Sequence, residues 1–390
     1  MKLIRSMNVV LLPALVLAFC VTGAQANVGF KVIHSFNGDD GAIPYGGVAP
    51  APHGGFYVAT LGGGSSNGGA LTLINKDGTS RVLHSFTGGN DGQSPFGTPF
   101  RWSVDGNIYG TTEEGGASSC GTIYRYAPRS GAYQQLYAFR CSPDGAYPVA
   151  ALNDIGGVLE STANGGGSHD VGALIFVRSD GSAGTSCSFS GNDGDFPDAS
   201  VAPANGNYYT IAHEDDIGYG TVTEFHGVTC NTSVIHRFAS GSDGAFPSGS
   251  LLFYNNALYG TTVFGGGPNL GTVFRVNLDG SNYAVLHSFQ GICCGNSDGS
   301  FPESALTLNP NDNMLYGTTT NGGNSSDLGT VFKIDPNTGT ETVVHSFSGT
   351  DGANPTGDLY IRKGNIYGTI YGTTQDGGAH NAGVVFRLKT

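Results

Sequence analysis

Asp243-Gly244-Ala245-Phe246-Pro247, running on into Ser248-Gly249-Ser250-Leu251-Leu252, opens one of seven copies of the phrase Asp-Gly-x-x-Pro, which start at Asp40, Asp91, Asp144, Asp193, Asp243, Asp298 and Asp351. After the first strand, which Phe246 to Leu252 opens, come a turn at Asn255-Asn256 and a second strand, Ala257-Leu258-Tyr259-Gly260-Thr261-Thr262. A Gly265-Gly266-Gly267 loop leads to Gly271-Thr272-Val273-Phe274-Arg275-Val276, then the turn Asp279-Gly280 and a fourth run, Ala284-Val285-Leu286-His287-Ser288-Phe289. Four β-rich runs with turn residues between them, repeated at a period of about fifty residues, are one four-stranded blade per repeat. The sequence therefore predicts an all-β fold, a seven-bladed β-propeller.

The two ends complement each other. Phe30-Lys31-Val32-Ile33-His34-Ser35-Phe36 is a fourth-type strand with no blade before it, and the chain stops after the third-type strand Val384-Val385-Phe386-Arg387-Leu388. Pairing the two would close the ring and remove both exposed edges. A β-solenoid would instead leave open ends to be capped. With no linker or break in composition, residues 27–390 are expected to form a single domain.

Residues 1–26 read as a secretory signal, with Lys2 and Arg5 ahead of the apolar run Val9 to Val21 and cleavage near Ala24-Gln25-Ala26. Bulky Phe19 argues against lipidation at Cys20, and no later stretch is apolar enough to span a bilayer. The expected product is secreted or periplasmic and monomeric. Losing Lys2 and Arg5 takes the formal charge from -13 to -15. That sign repels phosphate backbones and anionic lipid, so nucleic acid and membrane insertion are excluded as partners.

In an oxidising compartment Cys120 and Cys141, flanking the hairpin centred on Ser130-Gly131, are predicted to be bridged. Cys187 with Cys230, and the adjacent Cys293-Cys294, are further pairings that spacing leaves open. His34, His84, His236, His287 and His345 recur in the fourth strand, where Tyr137 and Cys187 take the same place; packing between blades accounts for them. The repeated Asp reads as a turn residue that accepts backbone N–H groups. One carboxylate per loop does not make a calcium site, and neither a metal nor a cofactor is expected.

The combination of Leu-Tyr-Gly-Thr-Thr, Gly-Gly, Gly-Thr-Val-Phe-Arg and Leu-His-Ser-Phe resembles the GloVer (Gloeobacter and Verrucomicrobia) tandem repeat of exported bacterial proteins. The resemblance covers essentially all of the chain after the signal. It implies export, and it brings no catalytic residues with it.

Function is sought where the repeat breaks. The dipeptide after Thr-Thr changes in each unit: Leu61-Gly62, Glu113-Glu114, Ala163-Asn164, His213-Glu214, Val263-Phe264, Thr320-Asn321 and Gln375-Asp376. Loops after strands two and four of a blade share one face, so these positions and the seven Asp turns should surround one mouth of the channel. Glu160, read as standing where the repeat has Gly, with His169, Asp170, Asp215 and Asp216, concentrates acids and His in units two to four. The expected binding residues are Glu113, Glu114, Glu160, His169, Asp170, His213, Glu214, Asp215, Asp216, Phe264 and Asp376; Glu160, His213, Glu214 and Asp215 are the candidates for catalysis. The residues support a binding module for a glycan, a surface polymer or another exported protein, with Phe264 and Trp102 available for stacking on sugar faces. The alternative is an extracellular glycan-cleaving enzyme using paired carboxylates and His.

Overall fold

The computed structural model describes residues 29–226, 230–292, 298–362 and 368–389; the signal stretch and Cys293-Cys294 lie outside them. The chain forms a β-propeller of seven four-stranded antiparallel blades. Blade five, for instance, runs through Ala245–Tyr254, Ala257–Phe264, Thr272–Asn277 and Ala284–Ser288. Blade seven consists of Tyr360–Arg362, Thr369–Thr374 and Val384–Lys389, and Lys31–Ser35 completes it by pairing in the register Lys31 to Arg387 and Ser35 to Val384. The ring is thus closed by the two ends of the chain. Phe30 continues the seam, its ring stacked 3.8 Å from that of His345 and 5.6 Å from that of Phe386.

The repeated residues are joints between blades. The Phe that follows the fourth strand, two places after the His or the Tyr137 or Cys187 in its place, is fully buried in all seven units: Phe36, Phe86, Phe139, Phe189, Phe238, Phe289 and Phe347. The first Thr of Thr-Thr reaches the inner segment of the next blade; Thr373 Oγ1 donates to Gly46 O at 2.7 Å across the closure, and Thr261 donates to Ser304 O at 3.3 Å. The second Thr explains the Gly of Asp-Gly: at Gly41, φ +123°, an added Cβ would lie 2.5 Å from Thr60 Oγ1. The Gly that opens the third strand faces the repeated proline of the following blade, so a Cβ on Gly383 would meet Pro44 Cδ at 2.5 Å.

The repeated Asp does more than shape its turn. Asp40 accepts Nε2 of His34 at 2.8 Å, Ser80 Oγ at 2.7 Å and the Asn37 N–H at 3.0 Å. His84, His287 and His345 hold Asp91, Asp298 and Asp351 at 3.0–3.1 Å. Where Tyr137 replaces His, its hydroxyl donates to Asp144 at 2.8 Å. Where Cys187 replaces it, its sulfur is bridged to Cys230, tying the fourth strand of blade three to the loop that leads into the fourth strand of blade four, with Cα atoms 5.4 Å apart. Cys120 and Cys141 form the expected second bridge, Cα to Cα 5.5 Å.

Blade three carries a shift in frame. Ala163 pairs with Ala173 as Thr112 pairs with Thr122, so Asn164-Gly165, not Ala163-Asn164, is the dipeptide after the second strand. By the same register Glu160 stands at the Tyr of Leu-Tyr-Gly-Thr-Thr, opposite Phe176 in mid-strand, and Ser161 takes the Gly place. Ser161-Thr162-Ala163 here replaces the Gly-Thr-Thr that marks the frame in other units.

Candidate functional site

Every Asp-Gly-x-x-Pro turn delivers its chain to the channel in the same way. The residue before the proline has a left-handed backbone in all seven units, with φ between 54° and 59° at Ile43, Ser94, Tyr147, Phe196, Phe246, Phe301 and Asn354. For Ile and the aromatics this is a costly conformation, held by the surrounding hydrogen bonds. The Phe196 carbonyl accepts the His213 N–H and the Phe196 N–H donates to Val171 O; the Ser94 carbonyl accepts the Glu113 N–H. The residue after the proline then points into the channel. These seven residues, Tyr45, Phe96, Val149, Asp198, Ser248, Glu303 and Thr356, all line one cavity of 270 Å³ at the mouth. Beneath them the wall is narrow because neighbouring backbones touch: a Cβ on Gly97 would lie 2.8 Å from the Ala150 carbonyl group.

The chemistry of this ring is uneven. Tyr45 and Phe96 form an aromatic corner, ring centroids 4.1 Å apart. Tyr45 donates its hydroxyl to Glu303 Oε2 at 2.9 Å. Burial raises the Glu303 carboxyl above its ordinary value; the Tyr45 hydrogen bond opposes the rise and the charge of Asp198 adds to it. Asp198 Oδ2 lies 3.6 Å from His213 Nδ1, and neither that nitrogen nor Asp198 Oδ1 has a hydrogen-bond partner among the described residues. Burial works to lower the His213 pKa, and Asp198, helped by Glu214, outweighs it and raises it. Glu113 is also raised, by burial and then by Glu114. Lower in the same cavity, partial burial raises the Asp358 carboxyl while the Ala305 N–H donates to it at 2.8 Å.

The sequence-predicted residues divide into three groups. Glu113 lines the cavity and His213 contacts its wall through Asp198. A second group stands on the surrounding loops of the same face. Glu114 is exposed, Asp376 bridges to Ala353, and Glu214 bridges to Asp195; Asp216 and Asp170 are exposed, as is His169, which hydrogen-bonds the Phe189 carbonyl. Phe264 is 38% exposed and packs edge-on against Phe246 and Phe301. With Ile43, Tyr147 and Phe196, also more than a third exposed, it makes an apolar rim outside the ring. The third group stands apart. Asp215 is buried, paired with Arg237 and accepting the N–H groups of Tyr219 and Gly220, which makes it a loop anchor. Glu160 is in mid-strand, raised by burial, with Arg178 opposing that shift. Trp102, expected to be available for stacking, is fully buried and donates Nε1–H to Asp154 at 2.9 Å.

Sequence reasoning missed Tyr45, Phe96, Asp198 and Glu303. The signal was present: directly after a proline common to every unit, the residue changes through Tyr, Phe, Val, Asp, Ser, Glu and Thr.

The profile of a bacterial repeat family, the Gloeobacter/Verrucomicrobia repeat, matches residues 18–222 and again 188–386. No curated protein matches the sequence. Among solved structures, the chain is similar to a streptogramin B lyase, at 14% identity over 93% of this chain and 97% of that one, TM-score 0.55. It is also similar to the extracellular domain of a one-component system from B. thetaiotaomicron, at 14% identity and TM-score 0.57, covering 93% of this chain and 42% of that one. A puromycin-hydrolysing peptidase of Mycobacterium tuberculosis matches at 13% identity and TM-score 0.54, over 88% of this chain and 50% of that one. The chain therefore spans half or less of the last two. At such identities the likeness is one of fold alone.

Proposed function

We propose that this chain, which belongs to the Gloeobacter/Verrucomicrobia repeat family, is an exported binding module that takes the end of a neutral glycan or similar hydroxyl-rich polymer into the channel mouth. The observation that carries the reading is the ring of seven residues after the repeated prolines, an apolar arc of Tyr45, Phe96 and Val149 facing a polar arc of Asp198, Ser248, Glu303 and Thr356, gathered on one small cavity. A volume of 270 Å³ is at the low end for ligand pockets, which suits one sugar residue and not a folded partner. Tyr45 and Phe96 offer an apolar face for the ring of a sugar, and the carboxylates of Asp198 and Glu303, which line the same cavity, offer hydrogen bonds to its hydroxyls. The exposed rim at Tyr147, Phe196 and Phe264 extends the surface for the rest of a chain. Two disulfides accord with an oxidising compartment, and no helix among the described residues is long and apolar enough to cross a membrane.

A cleaving enzyme is the second reading, favoured by one specific arrangement. Glu303, its carboxyl raised by burial, is what a general acid requires, and Asp198 with His213 stands close enough to sense it. A glycan panel followed by calorimetry on the hits tests the binding proposal. E303Q and D198N should each weaken binding by about tenfold, the loss of one charge-assisted hydrogen bond. K76A, on the opposite face beside Pro52 and His53, should leave binding unchanged. Release of reducing ends from a hit, lost in E303Q, would favour the enzyme.

A further inference from the structure

The joints between blades follow one pattern, and one of them departs from it. At each joint, the residue at the start of the next blade's fourth strand covers the repeated His. Tyr133 stacks on His84 at 3.7 Å, Tyr283 on His236 at 3.6 Å and Phe30 on His345 at 3.8 Å; at His34 the place is taken by Ser80, which bonds the shared Asp40. All four covers are uncharged. At His287 the cover is Glu341, the first residue of its strand and paired with Ile334 as Ser80 is with Ile74.

The result is a His with two carboxylates, not one. One ligand atom each from His287, Asp298 and Glu341 lie within 4.8 Å of one another. The group is sheltered: the side chains of His287 and Asp298 are 20% and 10% exposed. Asp298 is fully engaged, holding His287 Nε2 at 3.1 Å and the N–H groups of Gln290 and Gly299 at 2.9 and 2.8 Å. Glu341 Oε1 is buried with no hydrogen-bond partner among the described residues, and no Lys or Arg among them pairs with either carboxylate. Two carboxylates in one joint without a cation are an electrostatic cost that the other joints avoid.

The geometry points to a binding site for a divalent first-row transition ion between blades five and six, with His287, Asp298 and Glu341 as its ligands. Imidazole beside carboxylates suits Zn²⁺ or Mn²⁺ better than Ca²⁺ or Mg²⁺, which take oxygen donors alone. Bonds of about 2.0–2.2 Å require only a small inward movement of atoms already this close. The remaining positions would be filled by water, and the ion would clamp two blades as the Cys187–Cys230 disulfide clamps blades three and four.

The test is titration calorimetry of the intact, untagged, chelator-treated protein with ZnCl₂, MnCl₂ and CaCl₂, alongside thermal melting in each salt. One equivalent of Zn²⁺ or Mn²⁺ should bind and raise the melting temperature. E341S, which restores the residue that blade one uses, should stay folded and bind more than about tenfold more weakly, and E341Q should do the same. No saturable binding by the parent, equal binding by E341S, or a response to Ca²⁺ alone would overturn the assignment.

Discussion

Replacing Phe36 by alanine probes the closure of the ring through a single side chain. Phe36 is fully buried and packs with Val48, Phe56 and Val58 of the first repeat and with Tyr371 and Val385 of blade seven, while its N–H donates to Gly383 O at 3.0 Å. Truncating such a Phe leaves a cavity that the rigid joint cannot collapse into, at a cost of about 3–5 kcal/mol. For roughly 360 residues unfolding together, the entropy at the midpoint is about 0.75 kcal/mol per degree, so F36A should lower Tm by about 4–7 °C. Phe289, equally buried in blade five, is the internal control, since F289A removes the same group from a joint with no chain end in it. Calorimetry of the parent and both variants, with size-exclusion chromatography of each, gives the comparison. Equal losses mean that the terminal strand is as much a part of the cooperative ring as any other. If F289A fell by several degrees and F36A by less than about 1 °C, the Lys31–Ser35 strand would not be closing the ring, and the reasoning would fail.

Reducing the disulfides should cost about 3 kcal/mol for Cys120–Cys141, which closes 21 residues, and about 4 kcal/mol for Cys187–Cys230, which closes 43; denaturant melts of the paired Cys→Ser variants would measure both. D40N should destabilise the protein at pH 7 by about 1.5–3 kcal/mol. Burial alone would raise Asp40, but the hydrogen bonds from His34, Ser80 and the Asn37 N–H hold it below its usual value. Its stabilising contribution is therefore present above the unfolded pKa and lost as pH falls through the folded one, and the difference from D40N should vanish in acid melts. Asp358 has the opposite sign. Burial raises it, so it weighs against folding once pH exceeds the unfolded value; D358N should stabilise the protein at neutral pH, with the gain shrinking as pH approaches 4.

The architecture was legible because repetition supplies its own alignment. Seven prolines fixed the number of blades, the orphan strand at Phe30 to Phe36 fixed the closure, and the hairpin around Ser130-Gly131 placed Cys120 opposite Cys141. Blade three was misaligned by one residue because Ser161 and Ala163 replace the Gly and Thr that mark the frame, and a shift of one in a strand exchanges its faces. Glu160 is in mid-strand in either frame, and it was expected at the mouth because it departs from the repeat. The mouth itself was only half legible. Acids close together in sequence, such as His213 to Asp216, drew notice, yet Asp215 is there to hold Arg237 and a loop. The cavity instead draws on seven segments about fifty positions apart, and Tyr45 meets Glu303 only because the ring closes. The fourth-strand His was rightly assigned to packing, but its bond to the repeated Asp was not foreseen. The two lie six or more residues apart on either side of a turn, and only the fold shows that they face each other.

The most direct test of the binding account is a crystal structure of the protein soaked with the tightest-binding oligosaccharide from the panel. The account predicts density for a sugar in the mouth, its ring against Tyr45 and Phe96 and its hydroxyls within hydrogen-bonding distance of Asp198 and Glu303. Density on the opposite face, beside His53 and Lys76, with the mouth empty, would contradict it.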